Sequence, residues 1–362
     1  MADLEYLSEV LEINLNKAKN YHSNNNYALA KKYYLLSAET LLKMSKQSKG
    51  KLKTSYYNRA KNLISIADKL MPLNDEVEDK QDDVVVPIGE ISLEDAIKEL
   101  FELEGLYNVK NQINGWVEQI KVFNMRKLAN LPTPDITYHM VFKGNPGTGK
   151  TTVARIVAKI YKALGIVSKG QLVEVARSDL VQGYVGQTAI KTKEVVKKAI
   201  GGVLFIDEAY DLARKNENDF GQEAINTLLK LMEDYRNDLV VIAAGYSELI
   251  DNFVNSNPGL RSRFKNFIIF NDYDGEELYN IFEKMCLSNS YIYNDEVAKY
   301  LRNYTNHLYY YRDKNFGNAR EIRNLFELIV QNQSKRVASI SSVTKEQLCE
   351  IILDDLPYEI IK

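Results

Sequence analysis

Apolar residues recur at helical spacing over the first part of the chain. Leu4, Leu7, Val10 and Leu11 form one stripe, and Ala30, Tyr34, Ala38, Leu41 and Leu42 form a second. Ala60, Leu63, Ile64, Ala67 and Leu70 form a third. Steps of three and four place each set on one helix face. "NNN" (24–26) and "SKGK" (48–51) interrupt the stripes, so the pattern predicts three amphipathic helices, the second over about Tyr27 to Met44. Short turns between such helices let their stripes bury one another, giving a three-helix bundle over 1–71. Pro72 ends it. The next stretch, "LNDEVEDKQDDVVVP", is acidic and almost without aromatics. It has too little apolar surface to offset the entropy of ordering, which predicts a flexible linker over 72–92.

From about Ile91 the period changes. "YHMVFKG", "LVEVA", "GGVLFID", "DLVVIAAG" and "NFIIF" are short, near-continuous apolar runs separated by helical patterns. Such runs alternating with helices predict an α/β domain over 93–271, a parallel sheet with helices on both faces. After about Asp272 the strands are expected to stop. Residues 272–362 read as helices rich in tyrosine, asparagine and charge.

Composition narrows the class without choosing a function. The net charge of −2 over 362 residues gives no global field toward nucleic acid or an anionic membrane. Cys286 and Cys349 lie far apart without ligand spacing, and the histidines (22, 139, 307) are scattered. This favours free thiols in a reducing compartment over a disulfide or metal site. "MADLEYLSEV" lacks a basic region followed by an apolar core, and no apolar run approaches the ~20 residues of a membrane span. The expectation is a cytoplasmic protein without membrane insertion.

Two motifs carry chemistry. "GNPGTGKTT", comprising Gly144, Asn145, Pro146, Gly147, Thr148, Gly149, Lys150, Thr151 and Thr152, satisfies G-x-x-x-x-G-K-[ST] between an apolar strand and a helix. Its glycines let backbone N–H groups turn inward around phosphate oxygens, and the helix N-terminus adds partial positive charge. Lys150 would neutralise phosphates and the Thr151 hydroxyl would ligate Mg²⁺. Downstream, "GGVLFIDEAY" ends an apolar strand at Asp207, followed by Glu208. A carboxylate at a strand's C-terminal end suits Mg²⁺, and the next acid suits polarising a water for attack on a γ-phosphate. ATP and Mg²⁺ are the implied cofactors.

In these motifs the sequence resembles the AAA+ ATPases. Within them it is similar to the CbxX/CfxQ group, which includes red-type Rubisco activases, the stage V sporulation protein K family and the ATPase half of type VII secretion chaperones. The carrying segments are "GLYNVKNQI", "HMVFKGNPGTGKTTVARIVAKIY", "GGVLFIDEAYDL", "DFGQEAINTLLKLMED", "LVVIAAGY", "NPGLRSRF" and "FGNAREIRNLFE", over about residues 93 to 335. The resemblance implies an adenine pocket involving Leu106 and Val109. It implies an arginine finger at Arg263, with Arg261 as runner-up, and a second sensor at Arg320, with Arg323 one turn on. A finger acting on a neighbour implies a homo-oligomeric ring, a hexamer among the relatives. Tyr246 stands near the position where many relatives carry a polar water-orienting residue, which leaves that role unassigned. "SDLVQGYVGQT" falls where such rings carry a pore loop, and Tyr184, Val185 and Gly186 match an aromatic–hydrophobic–glycine grip on an extended protein chain. The helical front end resembles a MIT domain in pattern and length, a module that would capture a peptide or helix; a TPR-like piece or a plain oligomerisation bundle fits the same pattern.

Three functions compete at this level. The first is an ATP-driven machine that remodels or threads a protein partner, recruited through residues 1–71. The second is an ATP-dependent scaffold or switch that does not thread, or a Rubisco activase-like chaperone. The third, a nucleic-acid motor, lacks support: there is no helix-turn-helix extension, no zinc-finger spacing and no arginine-rich face.

Overall fold

The computed structural model describes residues 11–12, 14–16, 18–19, 22–23, 27–48, 50–69, 92–183, 186–214 and 220–357. The chain divides into two compact units, Met1–Val86 with Phe123–Thr133, and Pro87–Val122 with Pro134–Lys362. Leu4, Leu7, Val10 and Leu70 of the expected stripes, and positions 72–91 of the expected linker, lie outside the described residues.

In the first unit, the described residues between 11 and 23 are helical. α1 (Tyr27–Gln47) and α2 (Gly50–Lys69) follow. α1 runs past Met44 to Gln47, and α2 begins inside the expected turn, at Gly50 with φ +62°. Among the described residues, parts of the expected stripes pack together. Leu11, Ala38, Leu41, Met44 and Ala60 form one apolar cluster, and Ala18, Ala30, Tyr34 and Ala67 a second.

The second unit holds a five-stranded parallel sheet: β1 (Met140–Gly144), β2 (Leu172–Val175), β3 (Gly202–Ile206), β4 (Leu239–Gly245) and β5 (Asn266–Phe270), in the order β2-β3-β4-β1-β5. These are the five apolar runs of the sequence. β3 and β4 are buried at every position, as strands covered on both faces must be. β5 is an edge strand and alternates, with Ile268 and Phe270 buried and Phe267 and Ile269 exposed. Successive side chains face opposite ways. Met140 and Phe142 therefore join the core made with α3 (Leu93–Phe101), the buried face of α4 (Tyr107–Leu128) from Val109 to Ile120, and α5 (Lys150–Ala163). Val141 joins the opposite core instead. There it meets residues of α7 (Gln187–Ala199), α8 (Gly221–Asp234) and α9 (Ser247–Asn255). Two short helices, α6 (Arg177–Leu180) and α10 (Pro258–Arg263), complete this α/β layer.

Beyond Asp272 come α11 (Gly275–Ser288), α12 (Asp295–Tyr310), α13 (Ala319–Ala338) and α14 (Lys345–Cys349). α11 starts with a reciprocal cap: Glu277 N–H donates to Asp274 Oδ1 at 2.8 Å, and Asp274 N–H donates to Glu277 Oε2 at 2.9 Å. The expectation that strands stop at Asp272 needs correction. β6 (Ile292–Tyr293) and β7 (Glu350–Ile351) pair in parallel, two residues each, too short to leave a periodic signal. Among the described residues, no helix is long and apolar enough to cross a membrane.

Candidate functional site

β1 ends at Gly144 and α5 starts at Lys150, so the connecting turn must reverse within five residues. Gly147 (φ +70°) and Gly149 (φ +89°) supply left-handed backbone that an L side chain adopts only with strain. No side chain caps α5. Its first-turn N–H groups therefore have no side-chain acceptor, and Gly149, Lys150, Thr151 and Thr152 line a cavity of about 560 Å³. Unpaired amides and a helix dipole directed into one cavity favour an anion there. The Lys150 ammonium donates to Gly144 O at 2.9 Å and Asn145 O at 2.8 Å. Burial pushes it down to about 8; Asp207 and Glu208 oppose this, and Arg320 adds to it.

The neighbouring strands end at the same cavity. Asp207 is the first residue past β3 and is half-buried; its Oδ1 accepts the Glu208 N–H at 3.0 Å. Glu208 is exposed and has φ +48°, a left-handed backbone that turns the chain sharply after the strand. Gly245 and Tyr246 line the cavity at the end of β4. The Tyr246 ring lies 6.2 Å from that of Tyr210. Burial, then the carboxylates of Glu208 and Asp211, push the Tyr210 hydroxyl above its usual range. From α13, Arg320 and Arg323 reach the same space. Leu103, Leu106, Ile281 and Met285 add aliphatic surface to the same lining, beside Glu102, Glu104 and Lys284. A lining that combines helix-start amides, cations and carboxylates with aliphatic surface suits a nucleotide, the former for its phosphates and the latter for its base. The Thr151 hydroxyl and Asp207 carboxylate are hard oxygen donors of the kind Mg²⁺ takes.

Several expected residues stand elsewhere. Val109 is buried in the core and does not line the cavity; Leu103 and two residues of α11 take that place beside Leu106. Asn145 and Thr148 form the back of the phosphate loop. The Thr148 hydroxyl donates to Asn145 O at 2.8 Å, and the Asn145 amide donates to Asp272 Oδ1 at 2.9 Å. Arg263 is outside its own chain's cavity. It is half-buried, with Nη2 at 3.2 Å from Glu233 Oε2, and its carbonyl accepts from the Thr137 hydroxyl at 2.9 Å. Arg261, two residues earlier, is exposed. Gly186 caps α7 with φ +81°. The base of its loop is tied by Thr188, whose hydroxyl accepts from Gln182 N–H at 3.0 Å and donates to Gln182 O at 2.9 Å. Tyr184 and Val185 lie outside the described residues.

Sequence reasoning missed Tyr273, Asp272 and Asn318. Tyr273 lines the cavity and its hydroxyl donates to Thr148 O at 3.4 Å. The one available signal was "NDYDG", polar residues directly after an apolar strand, the same arrangement that singled out Asp207.

The comparisons agree with this geometry. Residues 140–272 match the ATPase family associated with various cellular activities (AAA), and residues 274–361 match an AAA lid domain. Protein CbbX of Cereibacter sphaeroides is 48% identical over 242 residues, 67% of this chain and 78% of that protein. Stage V sporulation protein K of Bacillus subtilis is 41% identical over 265 residues, 73% of this chain and 82% of that protein. The chloroplastic ribulose bisphosphate carboxylase/oxygenase activase of Cyanidioschyzon merolae is 43% identical over 258 residues, 70% of this chain and 87% of that protein. With a glycine-turned phosphate loop, an acid pair past β3 and a lid that places Arg320 and Arg323 at the cavity, the chain belongs to the CbxX/CfxQ group of AAA+ ATPases.

Proposed function

We propose that this ATPase works as a homo-oligomeric ring, a hexamer by analogy with its relatives, that remodels a protein partner. In this reading Lys150 and the loop amides hold the triphosphate, and Thr151 and Asp207 hold Mg²⁺. When bound, the ion offsets charge on the phosphate oxygens. Glu208 takes a proton from the attacking water as general base. Arg320 reaches the phosphates from the lid, and Arg263 serves a neighbouring subunit. The observation that carries the reading is a division of the arginines: Arg320 and Arg323 share the cavity with Lys150, Asp207 and Glu208, whereas Arg263 does not. A cation needed for phosphoryl transfer but absent from its own cavity makes sense when subunits complete one another.

Residues 1–71 would recruit the partner, and Tyr184, Val185 and Gly186 would grip it in the pore. The test is Tyr184→Ala. If the protein threads, basal ATP hydrolysis stays within about twofold while ATP-dependent unfolding of a bound partner stops. If remodelling survives, the ring is a switch. Glu208→Gln supplies the bound partner by holding ATP without hydrolysis, and a version without residues 1–71 tests recruitment.

A second reading is favoured by the relatives named as CbbX and as an activase of ribulose bisphosphate carboxylase/oxygenase. Here the partner is a carboxylase, and the assay is ATP-dependent recovery of activity by an inhibited carboxylase. Recovery that needs Glu208 establishes this reading; none with the cognate carboxylase refutes it.

A further inference from the structure

Asp272 is the second residue past β5, between the sheet and the lid, and nothing in the reading above uses it. Three side chains converge on its carboxylate. The Asn145 amide, in the phosphate loop, donates to Oδ1 at 2.9 Å and Oδ2 at 3.2 Å. The Asn318 amide, just ahead of α13, donates to Oδ1 at 2.8 Å. The Arg312 guanidinium Nε lies 3.3 Å from Oδ2. All are donors, and an ionised carboxylate has acceptor capacity for each.

Asn318 is the other half of the arrangement. It is fully buried and has φ +51° and ψ −125°, a backbone that side-chain-bearing residues adopt at a cost. Its side chain explains why asparagine stands there. Besides Asp272, its amide donates to Pro146 O at 3.3 Å and Phe316 O at 3.0 Å, while its Oδ1 accepts the Tyr273 N–H at 2.9 Å. The next residue, Ala319, donates its N–H to Gly147 O at 3.3 Å. Arg320 follows directly. The start of the arginine-bearing helix is thus fastened to the phosphate loop at Pro146 and Gly147, and to the segment just past β5 through one shared carboxylate.

We propose that Asp272, with Asn145 and Asn318, is a positioning clasp that fixes Arg320 over the phosphates, so that distinguishing ATP from ADP depends on it. The clasp touches no reacting atom. It acts by holding a loop and a helix in one register, a single contiguous network with both partners on one acceptor. This rests on reading the cavity as the ATP site.

The experiment compares affinities for ATPγS and ADP, by displacement of a mant-labelled nucleotide, in Asp272→Asn and Asn318→Gly. Glycine relieves the strained φ at 318 while removing the amide, so this variant keeps the backbone without the clasp. Both variants should lose about tenfold in preference for ATPγS over ADP, the scale of one charge-assisted hydrogen bond, with ADP affinity held within about threefold. In an Arg320→Ala background, Asn318→Gly should change that preference less than about twofold, because the residue it positions is gone. Equal loss in both backgrounds, parallel loss of ADP binding, or an unchanged preference overturns the clasp. Failure of the wild-type chain to bind ATPγS would instead overturn the reading of the site.

Discussion

His139 precedes β1 and lies beneath the segment carrying Arg263, where its ring meets Phe264 at a centroid distance of 6.1 Å. Its Nδ1 accepts the main-chain N–H of Val241 at 3.0 Å. Protonation would set one N–H against another in a site away from water. Burial first, then the charge of Arg263, hold the imidazole down at about 4, against an ordinary value of 6.5. Between these values the unfolded chain binds a proton that the folded chain refuses, so stability rises with pH and is lost as pH falls from about 6.5 toward about 4. At about pH 5.5 the ratio of the two binding polynomials is about tenfold, or about 1.4 kcal/mol; at about pH 7.5 it is near zero. For a unit of this size that corresponds to a fall of roughly 3–6 °C in Tm. His139→Asn retains an oxygen acceptor near Nδ1 and cannot titrate. The assay is urea unfolding of both proteins at the two pH values, followed by fluorescence of the single tryptophan, Trp116, which sits in the same unit. The wild type should lose about 1.4 kcal/mol more than the variant on acidification. Equal losses would refute the assignment of the buried neutral imidazole.

Other substitutions test the site. Glu208→Gln should reduce hydrolysis by about 10²–10⁴-fold with ATP affinity little changed, measured by phosphate release and nucleotide displacement. Arg263→Ala alone should abolish hydrolysis, and mixing with Lys150-defective subunits should restore part of it; no restoration would mean that the arginine acts within its own chain or structurally, through its pair with Glu233. Gly147→Ala places a Cβ against the Gly317 carbonyl and the Arg320 amide, both backbone atoms that cannot swing aside. Its left-handed φ adds roughly 1–2 kcal/mol of strain, so Tm and ATP affinity should fall together.

The sheet was legible because each strand is a short apolar run bounded by polar or glycine residues, and buried strands need nothing more distant to be identified. The phosphate loop was legible for a similar reason: its chemistry is local, and Gly147, Gly149, Lys150 and Thr151 work within one turn. Leu103 and Met285 escaped because an apolar residue in a base-binding wall looks in sequence like any core residue; Val109 was drawn into that role and is core. Asp272 and Asn318 escaped for a different reason. Their partners are 127 and 46 positions away, counted from Asn145 and from Asn318 to Asp272, and no spacing rule links such pairs. The short β6–β7 pairing is likewise a tertiary outcome, since two residues cannot show a period.

The strand order has one further effect. β4 lies between β1, which leads to the phosphate loop, and β3, which leads to Asp207 and Glu208. Adjacent strands are ~4.8 Å apart, so the glycine turn and the acid pair stand roughly 10 Å from each other across the sheet. That gap is set by backbone hydrogen bonding, with Lys143 of β1 in register with Gly245 of β4, and Ala243 of β4 in register with Ile206 of β3. A side-chain substitution cannot widen it. The sheet therefore acts as a gauge block: it fixes how far the loop amides stand from the acid pair, and only the segments beyond the strand ends can change what lies between them.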